Sequence, residues 1–150
     1  MRKTCINING NRIQDVTPDS FSFSDEDFGA CAAYNTVKAS DYYNVVTLVH
    51  NGAAIGYCSY KFGGSNEDSE NIFITMNIDS VFITQAYRGN GYSNFLASYV
   101  AFDFVNYVKD MTSGNKPYDY RGLNHFISDD GTNFYERVLQ IAYGKRPLHF

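Results

Sequence analysis

Arg88-Gly89-Asn90-Gly91-Tyr92-Ser93 is the stretch whose residue types and spacing best fit a chemical task. It lies between a run rich in β-branched and apolar residues, Asn71 to Thr84, and a segment from 91 to 111 with helical periodicity. A strand entering such a turn, with a helix leaving it, makes an anion site. The first helical turn has backbone N–H groups without partners, and the helix dipole favours negative charge there. Gly89 and Gly91 permit positive φ and let a phosphate approach the backbone, while Arg88 adds a fixed positive charge. A pyrophosphate suits that combination. Gly-Asn-Gly can also do no more than turn the chain, and short glycine motifs misfire often. The context favours the anion site. It disfavours nucleoside triphosphates and dinucleotides, because the turn lacks a Lys-Ser/Thr ending and does not sit in an early parallel βαβ unit.

The elements around the turn are legible in outline. Thr4 to Ile8 alternates before Asn9-Gly10-Asn11, which predicts a strand or hairpin within residues 2 to 16. Ser24-Asp25-Glu26-Asp27 marks a helix start, with Phe28, Cys31, Ala32 and Val37 as its buried stripe. Tyr42 to Val49 and Ala53 to Phe62 flank Asn51-Gly52, a hairpin signal, and Gly63 to Glu70 reads as a polar loop. With Asn71 to Thr84 these runs predict successive antiparallel strands. In the helix that follows, Phe95, Leu96, Tyr99, Val100, Phe102, Val105 and Val108 form the expected apolar stripe, and Ser113-Gly114-Asn115 with Pro117 ends it. A further strand is expected within Tyr118 to Ile127, a short helix from Asp129-Asp130 through Val138, and an edge strand over Ile141 to Phe150. The expected sheet has its first four strands antiparallel, splayed near residue 83 from the fifth.

Length and composition set bounds. The 150 residues suit one domain, 1–150, and can bury a core without disulfides or a structural metal. Hydrophobic residues at 44% and charged residues at 19% fit a folded globular chain and exclude disorder. The 13 Tyr and 12 Phe suit core packing and the walls of a cleft. A net charge of −4 disfavours a broad nucleic-acid surface and tolerates a cationic amine. Cys5, Cys31 and Cys58 lie far apart with no zinc spacing, so no metal is expected and a reducing cytoplasm is. No apolar run approaches a membrane span, and the polar residues after Met1-Arg2-Lys3 do not resemble a signal core.

Ile83-Thr84-Gln85-Ala86-Tyr87-Arg88-Gly89-Asn90-Gly91-Tyr92-Ser93 resembles the acyl-CoA-binding motif of the GNAT superfamily of N-acetyltransferases, roughly V-x-P-x-Y-R-G-x-G-x-G/A. Gln85 stands in place of the Pro, and Ser93, still small, in place of the last Gly or Ala. The stretch Ser128 to Arg137 is similar to the family's N-x-x-A-x-x-x-Y-E-K. Tyr135, Glu136 and Arg137 agree with it, whereas Ser128 replaces Asn, Gly131 replaces Ala, and Leu139-Gln140 replaces Gly-Phe. The order of elements agrees over most of the chain, and residues 81 to 93 match most sharply. The resemblance implies an α/β (α+β) fold with a mixed, mostly antiparallel central sheet flanked by helices. It implies acetyl-CoA or coenzyme A as cofactor, with the pyrophosphate on Arg88, Gly89, Asn90, Gly91, Tyr92 and Ser93, and the pantetheine arm along Phe82 and Ile83.

Acyl transfer from a thioester needs a neutral amine, a polarised carbonyl and a proton for the departing thiolate. The resemblance gives the last task to Tyr135, whose phenol is protonated at neutral pH; the same residue could equally be a helix Tyr packed on the sheet. For the base, Asp79 is the carboxylate of the third antiparallel strand, and alternation puts it on the face of Val81 and Ile83. Asn77 shares that parity and could hold a water. A solvated strand-end acid is the plainer account of Asp79. His50 and His149 read as surface residues, His125 as a structural strand residue, and Cys58 lacks an acid/base partner.

The expected function is an N-acetyltransferase moving an acetyl group directly from acetyl-CoA to a small-molecule or protein amine acceptor. The alternative is a GNAT-like domain that binds coenzyme A or a protein partner without catalysis. A nucleic-acid acceptor is disfavoured by the acidic balance and the lack of a Lys/Arg cluster. Self-association as a homodimer stands open.

Overall fold

A computed structural model describes residues 2–14, 16, 18, 21, 23, 28–66, 71–114, 116–122 and 129–144. Eight elements follow in chain order: β1 Lys3–Asn7, α1 Phe28–Ala39, β2 Asn44–His50, β3 Ala53–Ser65, β4 Phe73–Ile83, α2 Ser93–Met111, β5 Asp119–Tyr120 and α3 Asp129–Tyr143. A single-turn 3-10 segment, Gln85–Tyr87, links β4 to the glycine turn. The sheet order is β1-β2-β3-β4-β5. This is the mixed α/β sheet flanked by helices that the sequence implies.

Local chemistry accounts for most of these elements. After β1 the chain folds back as a hairpin-like turn: Gly10, at φ +83°, donates to the Asn7 carbonyl, and the Ile13 N–H reaches Cys5 O at 2.8 Å. Asn51 and Gly52 take φ of 51° and 75°, the pair of positive angles that a tight hairpin needs, and they join β2 to β3 in antiparallel register. β3 and β4 are also antiparallel. The loop expected from Gly63 begins later, since β3 continues to Ser65 and Gly63 and Gly64 pair with Thr75 and Ile74. A Cβ on Gly64 would stand 2.1 Å from the Phe73 carbonyl oxygen, so glycine there permits close strand pairing instead of breaking it.

One topological expectation fails. β1 and β2 are parallel, not antiparallel. A parallel pair needs a long crossover, and α1 is that crossover. The described part of β5 is likewise parallel to β4 and meets it only at Phe73 and Ile74, so the far end of β4, near residue 83, has no β5 partner among the described residues. The segment that would show the expected splay, residues 123–128, lies outside the described residues. The last element is also different. α3 runs on to Tyr143 because Val138, Leu139, Ala142 and Tyr143 continue one apolar face, so Ile141 to Tyr143 are helical and not an edge strand. Residues 145–150 lie outside the described residues, as do Ser24 to Asp27 and His125.

Each face of the sheet has its own core. On one, Val46, Leu48, Cys58, Tyr60, Ile74, Met76 and Ile78 pack under Leu96, Val100 and Phe104 of α2 and Val138 and Leu139 of α3. On the other, Val45, Ala54 and Tyr57 meet Tyr34 and Val37 of α1, with Phe23 edge-on to the Tyr34 ring at 5.0 Å. The buried stripe of α1 thus uses Tyr34 where Ala32 was expected; Ala32 is exposed. In α2 the buried face is Leu96, Ala97, Val100, Ala101, Asp103 and Phe104, and Phe102 is 61% exposed. Phe102 sits two residues from both Val100 and Phe104, which is the opposite side of a 3.6-residue helix. Buried Asp103 accepts from Arg2 Nη1 at 2.8 Å and from the Tyr60 hydroxyl at 2.7 Å. These charge-assisted bonds fasten β1 and β3 to α2.

Candidate functional site

β4 changes character at a bulge. Tyr60 pairs with Ile78 and Ser59 with Ser80, so Asp79 is the extra residue. The bulge resets the alternation. Ile74, Met76 and Ile78 face α2 and α3; past the bulge Val81 and Ile83 take over that face, and Phe82 turns to the α1 side. Asp79 therefore lies on the α1 side with Ser59 and Tyr57, opposite Val81 and Ile83. Simple alternation predicted the reverse. Its exposed carboxylate accepts from Ser59 Oγ at 3.2 Å; the two serine hydroxyls of Ser59 and Ser80 are 2.6 Å apart, and Ser80 Oγ reaches the Tyr57 hydroxyl at 3.1 Å. The Tyr57 phenol is pushed above its ordinary range by burial, only partly offset by Ser80. Asn77, also exposed, shares the Asp79 face.

At the open end of β4 lies a cleft of about 570 Å³. Its walls are Val81, Phe82 and Ile83, the turn residues Tyr87 to Gly89 and Gly91 to Asn94, and the start of α3 with Asp130, Asn133, Phe134 and Arg137. The turn is built as an anion cradle. Gly89 and Gly91 have φ of 82° and 76°, values that favour glycine. The 3-10 segment uses the Tyr87 and Arg88 N–H groups, and the first α2 bonds begin with Asn94 N–H to Gly91 O at 3.0 Å. Between them, the N–H groups of residues 89–93 have no partner among the described residues. No side chain caps the helix either. An added Cβ on Gly89 would meet nothing within 4 Å, so the cradle opens outward.

Two guanidinium groups flank it. Arg88 Nε donates to the Ile83 carbonyl at 2.7 Å, and its guanidinium carbon lies 5.2 Å from the Phe82 ring centre. This folds Arg88 back along the strand end, so part of its donor capacity holds the turn in place. Arg137 Nη1 donates to Asn94 Oδ1 at 2.5 Å, bridging α3 to the first turn of α2. The sequence reading gave Arg137 no binding role. Asp130, Asn133, Phe134 and Arg137 fall at helical spacing on one side of α3, and that polar stripe beside the Gly turn was the available signal.

Tyr135 is placed apart from these walls. It is buried in α3, its hydroxyl in contact with the Tyr120 hydroxyl of β5. Burial pushes both phenols above the ordinary range, Tyr120 the further; the bond from Tyr120 works the other way on Tyr135 and favours its phenolate. The structure thus gathers Phe82, Ile83, Arg88, Gly89, Gly91, Tyr92 and Ser93 in one cleft, turns the Asn90 amide back to the Tyr87 and Arg88 carbonyls, sets Tyr135 at the base of β5, and leaves Asp79 outside the cleft walls. His50 meets Tyr87 edge-on at 5.8 Å, outside the cleft walls. Cys58 is buried, with its thiol raised by desolvation, as suits an inert core residue. Among the described residues no cluster of potential metal ligands occurs, and no helix is long and apolar enough to cross a membrane.

No family model matches the chain, and no curated protein matches it. Solved structures do. A ribosomal-protein-alanine N-acetyltransferase from Brucella melitensis aligns at 14% identity over 79% of each chain, with a TM-score of 0.45. A protein assigned as an acetyltransferase from Agrobacterium tumefaciens aligns at 14% identity over 86% of this chain and 78% of that one, TM-score 0.40. A transcriptional regulator from Bacillus halodurans aligns at 15% identity over 82% and 76%, TM-score 0.40. The mixed sheet and the Gly turn before α2 are described from this chain's own coordinates. The account of the cleft rests on this chain's own geometry.

Proposed function

We propose that the chain is an N-acyltransferase that binds acetyl-CoA, with the pyrophosphate in the turn Arg88 to Ser93 and the pantetheine arm along Phe82 and Ile83. One observation carries the reading: the N–H groups of residues 89–93, without a partner among the described residues, border a cleft walled by the end of β4. The residues fit the group. A diphosphate supplies acceptors for these donors, and Arg88 and Arg137 offset its charge. Among the described residues, no β5 partner covers the backbone edge of Ile83 and the residues before it. Bound acetyl-CoA supplies an activated acyl group. Tyr135 keeps a proton for the departing sulfur, and burial holds that proton on at neutral pH. The acceptor is an amine, on a small molecule or a protein, and the working compartment is the cytoplasm. Calorimetry with coenzyme A tests the binding step, and thiol release from acetyl-CoA across a panel of amines tests transfer. Absence of any heat with coenzyme A would sink the proposal.

A second reading is binding of coenzyme A without transfer. It is favoured by Asp79, whose carboxylate accepts from Ser59 and is not among the cleft walls. Binding by calorimetry with no thiol release from any amine would select it.

A further inference from the structure

Ile83 and Arg88 both line the cleft, and they are bonded to each other. Backbone alternation fixes which way the Ile83 carbonyl points. The Thr84 N–H donates to Ile55 O of β3 at 2.8 Å, so the N–H and C=O of Ile83, one residue earlier, face the opposite edge of β4. On that edge the Ile83 oxygen accepts from Arg88 Nε at 2.7 Å. The guanidinium carbon lies 5.2 Å from the Phe82 ring centre, within cation–π range. The Nη groups of Arg88 have no partner among the described residues. Arg88 thus occupies the acceptor that an extended arm along Phe82 and Ile83 requires, while keeping most of its own donors open.

We propose that Arg88 is a specificity-determining latch: with no diphosphate in the turn it holds the Ile83 carbonyl, and a diphosphate draws the guanidinium away and frees that carbonyl for an amide N–H of the pantetheine arm. The inference rests on the reading of the turn as the pyrophosphate site. Bond strengths give the direction of the exchange. A hydrogen bond with one charged member is roughly twice as strong as a neutral one, so the arm's neutral amide competes poorly with Arg88 for the Ile83 oxygen. A diphosphate is charged and takes the guanidinium fork on two oxygens, so it outcompetes a single neutral carbonyl for Arg88. The Ile83 oxygen has a second lone pair, yet a strand-like partner must bring its N–H along the outer edge, where Nε stands. The latch therefore favours acyl donors that carry both a diphosphate and a pantetheine arm. Pantetheine thioesters without the diphosphate meet an edge already taken.

The test uses the full chain labelled with 13C at the isoleucine carbonyls, the Ile83 resonance being assigned by its loss in Ile83→Val. ADP supplies a diphosphate without the arm, and pantetheine the arm without a diphosphate. ADP should move the wild-type Ile83 carbonyl resonance upfield, as for a carbonyl that loses a hydrogen bond, to its position in ligand-free Arg88→Ala. In Arg88→Ala, ADP should leave it in place. Arg88→Ala should also bind pantetheine about three- to tenfold more tightly than the wild type does, the scale of one net hydrogen bond, and coenzyme A about tenfold less tightly. Arg88 is exposed, so circular dichroism should show the fold intact; if it does not, the wild-type response to ADP decides. A residue that only supplied charge would weaken coenzyme A binding and leave pantetheine binding unchanged, and that result overturns the latch. So does an Ile83 resonance that ADP leaves in place in the wild type, or moves equally in both proteins. Wild-type protein that binds no coenzyme A overturns the pyrophosphate reading itself.

Discussion

Phe73–Ile78 and Asp79–Ile83 belong to one strand, yet only the second borders the cleft. In the first half Ile74, Met76 and Ile78 are buried, β3 pairs along one edge and β5 reaches the other at Phe73 and Ile74. In the second half β3 pairing continues, the bulge at Asp79 exchanges the faces, and the outer edge has no partner among the described residues. Residue type barely distinguishes the halves, since both are rich in Ile, Phe and Ser or Thr. The bulge does. Ahead of it Ile74, Met76 and Ile78 are buried under α2 and α3; beyond it Val81, Phe82 and Ile83 border the cleft.

This contrast can be broken by experiment. The largest effect belongs to the first half. Ile74→Ala should cost about 2–5 kcal/mol of stability, the usual range for a buried large-to-small change, and leave coenzyme A affinity alone. Denaturant melts and calorimetry check the two limbs. A large loss of affinity at unchanged stability would erase the distinction between the halves. Next is the turn. Gly91→Val forces a β-branched side chain to φ near 76° and sets a Cβ in the cradle, so coenzyme A affinity should drop roughly a hundredfold. The fold should persist by circular dichroism. Wild-type affinity in this variant would move the pyrophosphate elsewhere.

Tyr135→Phe removes a hydroxyl and keeps the ring. Turnover should fall about a hundredfold, within the span of general acid catalysis, while coenzyme A affinity holds. Because burial raises Tyr135, the wild-type rate should be lost only above the ordinary phenol range near ~10, as the acid form gives up its proton. The smallest effect is expected at Arg137→Ala. This side chain is exposed, so the loss of affinity should be only about three- to tenfold and should shrink with added salt. An effect independent of salt would point to the Asn94 bridge and not to phosphate charge.

How far the sequence carries can be judged residue by residue. Asn51-Gly52 and Gly89-Asn90-Gly91 are legible because positive φ is a demand made on one residue at a time, and glycine or asparagine answers it locally. The α2 helix is legible because Leu96, Val100 and Phe104 repeat at its own period, while Phe102 misleads because apolar residues need not all be inside. The parallel pairing of β1 with β2 is invisible in either strand, since strand direction depends on where α1 delivers the chain.

For the site, residue identity alone settled the turn, its two glycines, its arginine and the helix that follows, each a consequence of backbone geometry over a few residues. Tertiary structure alone decided the rest. A bulge formed against β3 put Asp79 on the far face. The docking of α3 on α2 brought Arg137 to Asn94 and set Phe134 beside Val81 to Ile83 in the cleft wall. These outcomes depend on register and packing between segments far apart in the chain, where alternation and periodicity within one segment carry no information.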